Sequence, residues 1–343
     1  MWQTLKKLPT GDPSFLHTDY NSAPAVNFLK KFNTASLLAN NFFILKWGNG
    51  WSWNDYKEGY MAERSSLPLY GNTVSFSLND KHILVSPSFF SRQISGYVGQ
   101  QFDGFQINRS MESNDFRITK GNRQKQTITF SSGNSSFNWI PSIQAELLSD
   151  TLKIPVSAGL VSRVEKNDFN PFYSQPTDSL LKPMMHRSDN FFAEQTLLMV
   201  SNEMLGVMND ERIIDTLLKT DFKDLPQKPR WVDGSGLSRY NLFTPQDFVY
   251  ILNKMKNEFP MERIKEIFPT GGEGTLSSYF KTDSNYIFAK TGSLAGVVAL
   301  SGYLYTKKGR LLIFSTLVNN HQASATEVRR AMEKFLEGIR NKY

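Results

Sequence analysis

Cysteine is absent from all 343 residues. Disulfides, thiolate metal sites and cysteine nucleophiles are therefore excluded together, although the compartment is not fixed, because a chain with a good core needs no bridges. Histidine is scarce: His17, His82, His186 and His321 stand far apart, with no HxH or HxxxH spacing. Neither a metal centre nor a cofactor is expected. No apolar run reaches the roughly 18 residues of a membrane span. The opening stretch, Met1 to the turn Thr10-Gly11-Asp12-Pro13, has no apolar signal-peptide core, so the sequence reads as a soluble chain without an export signal. Charge is nearly balanced, 39 Lys and Arg against 32 Asp and Glu. The excess is scattered, its longest runs being Lys6–Lys7, Lys30–Lys31, Lys307–Lys308 and Arg329–Arg330. That is solubilising surface charge, not a nucleic-acid stripe.

What is present fits a folded chain of two or three domains, with 40% hydrophobic and 21% charged residues. Residues 1–70 are rich in aromatics and turns. A short helix is expected over 23–32, and three tryptophans, Trp47, Trp51 and Trp53, fall within seven positions. They read as packing between small subdomains rather than as a sugar-stacking platform. Residues 71–172 change to short alternating stretches such as Thr73–Leu78 and Thr127–Phe130, bounded by Asn, Gly, Ser and Asp, which predicts a β-rich segment. From 173 to 343 the pattern is helical, then β, then helical. Phe191–Val200 reads as an amphipathic helix. Tyr286–Lys290, Val297–Tyr305 and Arg310–Val318 read as strands, with a hairpin turn at Lys307-Lys308-Gly309. Ser324-Ala-Thr-Glu327 is a capping box, after which Val328, Met332, Phe335 and Ile339 are expected to line the buried face of a final helix. An antiparallel sheet covered by helices is an α+β arrangement.

Two short motifs carry chemistry. Ser188-Asp189-Asn190 directly precedes the helix at Phe191, and Lys290-Thr291-Gly292-Ser293 ends an apolar strand about a hundred residues later. Alone, the first is an N-cap and the second a strand-end turn. In this order and context they match the last two of the three motifs SxxK, SxN and KTG of the penicilloyl-serine transferases. The residue types suit that work. A lysine ammonium beside a strand edge, with a threonine hydroxyl next to it, binds a carboxylate. Gly292 lets a substrate backbone approach, and an extended peptide then lies along the strand like an added one. Ser188 suits proton relay and Asn190 offers an amide to the substrate backbone.

Around these motifs the chain resembles the low-molecular-mass class C penicillin-binding proteins, the D-alanyl-D-alanine carboxypeptidase/endopeptidases of penicillin-binding protein 4 type. The likeness rests on Leu180-Leu-Lys-Pro-Met-Met-His-Arg-Ser-Asp-Asn-Phe-Phe-Ala-Glu194, Val232-Asp-Gly-Ser-Gly-Leu-Ser-Arg-Tyr-Asn241, Pro269-Thr-Gly-Gly-Glu-Gly-Thr-Leu276 and Ala289-Lys-Thr-Gly-Ser-Leu-Ala-Gly296. Gly11-Asp-Pro-Ser-Phe15 and Gly48-Asn-Gly-Trp-Ser-Trp-Asn-Asp-Tyr56 resemble the family's insert, so the likeness covers most of the chain. It implies a β-lactamase/transpeptidase-like domain over 173–343, incomplete in its helical half. It also implies a β-rich inserted domain over 71–172 and the remainder of an inserted subdomain over 1–70. It implies Ser188, Asn190 and Lys290 as catalytic residues and Thr291, Gly292 and Ser293 as substrate-binding ones, with the Ser293 N–H as half of an oxyanion hole. The stretch Asp233–Ser238 is expected to be a glycine-dependent turn near the cleft and is left outside the site.

In that family the nucleophilic serine and its lysine lie well upstream of Gly-Asp-Pro, where this chain begins. Two SxxK strings occur, Ser179-Leu-Leu-Lys182 and Ser278-Tyr-Phe-Lys281. The first lies inside the approach to SxN and the second follows SxN, so both are read as chance. The expectation is an N-terminally truncated chain without nucleophile or signal peptide and with little turnover. Apolar surface left bare by a missing helix leads to the expectation that the isolated chain aggregates or dimerises as a homo-oligomer. The resemblance implies a serine-type D-Ala-D-Ala carboxypeptidase or endopeptidase of the periplasm or cell envelope. Its partners would be peptidoglycan stem peptides and β-lactams, with no nucleic acid and no metal. The alternative is a non-catalytic peptidoglycan- or partner-binding module derived from such an enzyme. The DNA upstream of Met1 separates the two: an in-frame export signal and SxxK for the first, an immediate stop for the second.

Overall fold

Alternating and 3.6-period apolar patterns sort the chain into strands and helices that gather in two units. The computed structural model describes residues 4–38, 41–96, 103–132, 142–159, 169–283 and 285–343. Residues 97–102, 133–141 and 160–168 of the expected β-rich segment, and Met1–Gln3 of the opening stretch, lie outside the described residues. One unit comprises Met1–Gln175 and Phe191–Ile213, the other Pro176–Asn190 and Ile214–Tyr343.

Among the described residues the first unit holds three small sheets. In one, β1 (Thr4–Lys7), β2 (Thr34–Leu38) and β9 (Val156–Gly159) run parallel. In the next, β3 (Thr73–Asn79) pairs antiparallel with both β4 (His82–Ser86) and β8 (Lys125–Thr129). In the third, β7 (Phe116–Lys120) pairs with β5 (Ile94–Gly96) and β6 (Phe105–Asn108). The alternation in β3 works as period-2 patterning dictates, burying Val74 and Phe76. These join Phe15, Leu37, Phe90, Phe116 and, from α2 (Ser142–Leu152), Leu147 and Leu148 in one apolar cluster. The helix expected over 23–32 is shorter, α1 (Pro24–Leu29). Pro24 suits the first turn, where its missing N–H is not needed. The chain leaves the helix after Leu29 because Lys31 and Phe32 donate three residues back instead of four. Of the tryptophans, Trp47 and Trp51 lie under the Lys46 ammonium and the Arg64 guanidinium (4.5 and 5.7 Å), whereas Trp53 is 66% exposed. All three line an open cleft of about 1080 Å³.

In the second unit β10 (Ile287–Leu294), β11 (Val297–Tyr305) and β12 (Leu311–Asn319) form an antiparallel meander. The sheet is covered on both faces. Ile287, Ala289, Val298 and Leu300 pack against Met332 and Leu336 of α8 (Ala325–Lys342). Phe288 and Tyr303 pack against Leu252 of α6 (Pro245–Glu258), Ile264 of α7 (Met261–Ile267) and Phe268 just beyond it. Helix α3 (Thr177–Arg187) belongs to this unit. The next two helices, α4 (Asn190–Leu205) and α5 (Asp210–Lys219), each run across a unit boundary in sequence.

Strand β10 and helix α8 also depart from the pattern read in the sequence. Strand β10 does not stop at Lys290 but continues through Leu294, because Thr291, Gly292 and Ser293 keep register with Leu300, Ala299 and Val298. The turn comes at Ala295-Gly296, where Gly296 takes φ +75°. On α8 the capping box forms as expected. Phe335, however, is 61% exposed, and Leu336 takes the buried place. At 100° per residue Met332 and Leu336 centre the apolar stripe, and Phe335 falls on its shoulder.

Candidate active site

Helix α3 fixes one side of the site. Its first turn is tied to α7 by Arg263, whose guanidinium grips both carboxylate oxygens of Asp178 at 2.7–3.1 Å and holds that carboxyl below its usual range. Leu180 is buried beneath the helix. The helix ends at Ser188, which adopts φ 58°, ψ 53° while its N–H donates to the Met184 carbonyl. A left-handed conformation is uncommon for serine and turns the chain sharply. Asp189 closes the turn through its own N–H to the Met184 carbonyl (3.0 Å) and its carboxylate on the Arg187 Nε (3.0 Å). Asn190 then opens α4, half-buried, two residues beyond Ser188.

Strand β10 supplies the other side. Among the described residues it is an edge strand, its free edge covered only at its start, where the Ala289 N–H donates to the Pro269 carbonyl (3.1 Å) and Thr270 bridges Phe288. Alternation along an antiparallel strand then directs the N–H and C=O of Thr291 and Ser293 to the same free edge, which has no partner strand among the described residues. Side chains alternate too: Lys290 and Gly292 lie on the α6/α7 face with Phe288, Thr291 and Ser293 on the α8 face with Ala289.

The two motifs meet through one hydrogen bond. The Lys290 ammonium donates to Ser188 Oγ at 2.6 Å across 102 residues of sequence, and also to the Thr291 carbonyl at 2.6 Å. No carboxylate lies within 4 Å of it among the described residues. Burial lowers its pKa to about 8, so near neutrality it is charged yet within reach of losing its proton. The Thr291 hydroxyl makes no hydrogen bond among the described residues. The Ser293 hydroxyl accepts from Nη2 of Arg329, a residue that sequence reasoning had placed among surface charges.

The Asp233–Ser238 stretch is a closed loop. The buried Asp233 carboxylate accepts the N–H groups of Gly236 (2.8 Å) and Ser238 (2.7 Å) and the Asn241 side-chain amide (2.7 Å). Beyond it, Arg239 reaches the Ala295 carbonyl at 3.4 Å, in the turn after β10. The serines and lysines of both SxxK strings are exposed, Ser179 and Lys182 one turn apart on α3. No cluster of three or more His, Asp or Glu side chains able to hold a metal occurs among the described residues. No helix among them is long and apolar enough to cross a membrane.

Comparison with known proteins gives this geometry a setting. The D-alanyl-D-alanine carboxypeptidase DacB of Haemophilus influenzae is 28% identical over 180 residues, 50% of this chain and 37% of that protein. The carboxypeptidase DacB of Mycolicibacterium smegmatis is 31% identical over 159 residues, 43% of this chain and 34% of that protein. The aligned part thus spans little more than a third of either relative. The crystal structure of penicillin binding protein 4 (dacB) from Haemophilus influenzae superposes with TM-score 0.70 at 20% identity, covering 99% of this chain and 82% of that one. The fold is therefore the mixed one of that protein, as the α+β reading expected. Residues 38–339 match one family throughout, and the chain belongs to it: the D-Ala-D-Ala carboxypeptidase 3 (S13) family.

Proposed function

We propose that the chain carries the carboxylate-binding and proton-relay half of a serine-type D-Ala-D-Ala carboxypeptidase or endopeptidase that acts on peptidoglycan stem peptides in the cell envelope and is acylated by β-lactams. The observation that carries this reading is the 2.6 Å hydrogen bond between Lys290 and Ser188 beside an open strand edge. The peptide lies along β10 and its terminal carboxylate meets Thr291. A serine hydroxyl, its proton taken by the amine of its own SxxK lysine, attacks the penultimate D-Ala carbonyl, and the N–H of Ser293 stabilises the oxyanion. The C–N bond breaks. The leaving D-Ala nitrogen receives its proton through Ser188, whose hydroxyl the Lys290 ammonium polarises, while Asn190 holds the substrate amide. Water then hydrolyses the ester.

Neither SxxK string of the chain stands ahead of SxN in a matched context, so these 343 residues on their own turn over little substrate. Two measurements test the reading. Incubation with labelled penicillin followed by mass spectrometry should give no covalent adduct. An N-acetylated D-alanyl-D-alanine dipeptide should nonetheless bind, detected by NMR titration, in preference to its L,L enantiomer, and Lys290→Ala should abolish the preference. Acylation at Ser179 or Ser278 would overturn the assignment of those strings, and equal binding of the enantiomers would overturn the site.

A further inference from the structure

The chain contains buried arginines that brace loops, and they set a standard. Arg64 uses Nε, Nη1 and Nη2 on the carbonyls of Leu45 and Trp47 and the carboxylates of Asp210 and Glu194. Arg109 likewise spends all three nitrogens, on the carbonyls of Thr129, Ser110 and Met111 and the Thr129 hydroxyl. A guanidinium held out of water is costly unless its donors are met, and in both cases they are.

Arg329 does not meet that standard. It lies one turn before Met332 on the side of α8 that faces the sheet, while its neighbour Arg330 pairs with Glu333 at 2.6 Å. Among the described residues its guanidinium makes one hydrogen bond, to the Ser293 hydroxyl. Its Nε is shut off from water and has no partner among them. No carboxylate lies within 4 Å of it among the described residues, nor of Lys290 or Arg239, the other cations that touch residues 290–295. Three positive side chains thus gather on one short strand and its turn with no acid to neutralise them, a field that draws an anion. Thr291 and Ser293 are two residues apart on the α8 face, hence roughly 7 Å from each other at a strand's rise. The unused Thr291 hydroxyl and the under-used guanidinium therefore stand within the reach of a single small carboxylate.

We propose that Arg329 is a substrate-carboxylate residue: with the hydroxyls of Thr291 and Ser293 it holds the carboxylate of the peptide's leaving residue at the open edge of β10. This rests on the peptidase reading above. The planar fork matches a carboxylate, and the helix that presents it is pinned by its capping box and by Met332 and Leu336. Substrates whose leaving residue carries a free carboxylate are selected over those in which it is amidated.

The test uses the full chain and NMR titration with N-acetyl-D-alanyl-D-alanine and its C-terminal amide. Wild type should prefer the acid by about tenfold or more, the scale of one charge-assisted hydrogen bond. Arg329→Gln should bring the acid-to-amide ratio close to one with amide affinity unchanged, and Arg329→Lys should keep part of the ratio because it keeps the charge without the fork. A ratio that survives Arg329→Gln while Thr291→Val collapses it would leave the peptidase reading standing and overturn the role of Arg329. So would equal weakening of acid and amide, the mark of a purely structural brace. Should Arg329→Gln fail to fold, an unchanged ratio in Arg329→Lys overturns the proposal. Absence of any D over L preference in wild type removes the peptidase reading and this inference together.

Discussion

At the scale of single residues, the consequential property is the proton on Lys290. Its pKa of about 8 lies below the ordinary 10.5 because burial penalises the charged form. Between those values the unfolded chain holds a proton that the folded chain has released, so stability rises with pH across that window. Urea midpoints measured from pH 7.5 to 10 should therefore rise for wild type relative to Lys290→Met, and a flat difference would show that the ammonium is not desolvated. Affinity for the anionic dipeptide should fall over the same range as the positive charge is lost. The pairing of Ser188 with Lys290 was legible because each motif has a fixed spacing and a recognisable element beside it. The contact of Arg329 with Ser293 was not. In sequence Arg329-Arg330 is an exposed-looking basic pair, and only the docking of α8 separates the partner of Glu333 from the neighbour of Ser293.

At the scale of elements, the site strand depends on its partner's lack of a side chain. Gly302 faces Ala289 across the β10–β11 pair, and a Cβ there would come within 2.2 Å of the Phe288 carbonyl and 2.6 Å of the Ala289 Cα. Gly302→Ala must part the strands at the foot of the Lys290 segment, with a loss of about 1–3 kcal/mol by chemical denaturation, the range seen for overpacking. On α8, Leu336→Ala should cost about 2–5 kcal/mol and Phe335→Ala under about 0.5, because only the former is buried. Reversal of that order would return the helix to the face read from sequence. The existence of β11, β12 and α8 was readable from apolar runs and a capping box. The length of β10 was not, since Lys-Thr-Gly-Ser has no strand pattern and is held in register by Leu300, Ala299 and Val298 opposite.

At the scale of the molecule, a chain without cysteine must close its long loops by other means, and in the first unit buried guanidiniums do so. Arg64 joins the Leu45–Trp47 segment to Asp210, 146 residues away, at 2.5 Å, and Glu194 flanks the same nitrogen at 3.5 Å. Such a network gains little over an apolar core when intact, yet it is strongly destabilising when one partner is removed, because a buried charge is left uncompensated. Asp210 also accepts the Glu211 N–H in the first turn of α5, just after Asn209, which caps the helix through the Arg212 N–H, so one carboxylate serves both a helix start and a loop closure. Asp210→Ala should accordingly lower the unfolding free energy by about 3–5 kcal/mol, with Asp210→Asn intermediate because it retains a hydrogen-bond acceptor. The stacking of Arg64 over Trp51 makes tryptophan fluorescence in urea a suitable reporter. A loss below about 1 kcal/mol, the range of an exposed ion pair, would mean that Glu194 alone neutralises Arg64 and that the apolar cluster of Phe42, Ile44, Leu198 and Met208, rather than the ion network, holds these loops closed.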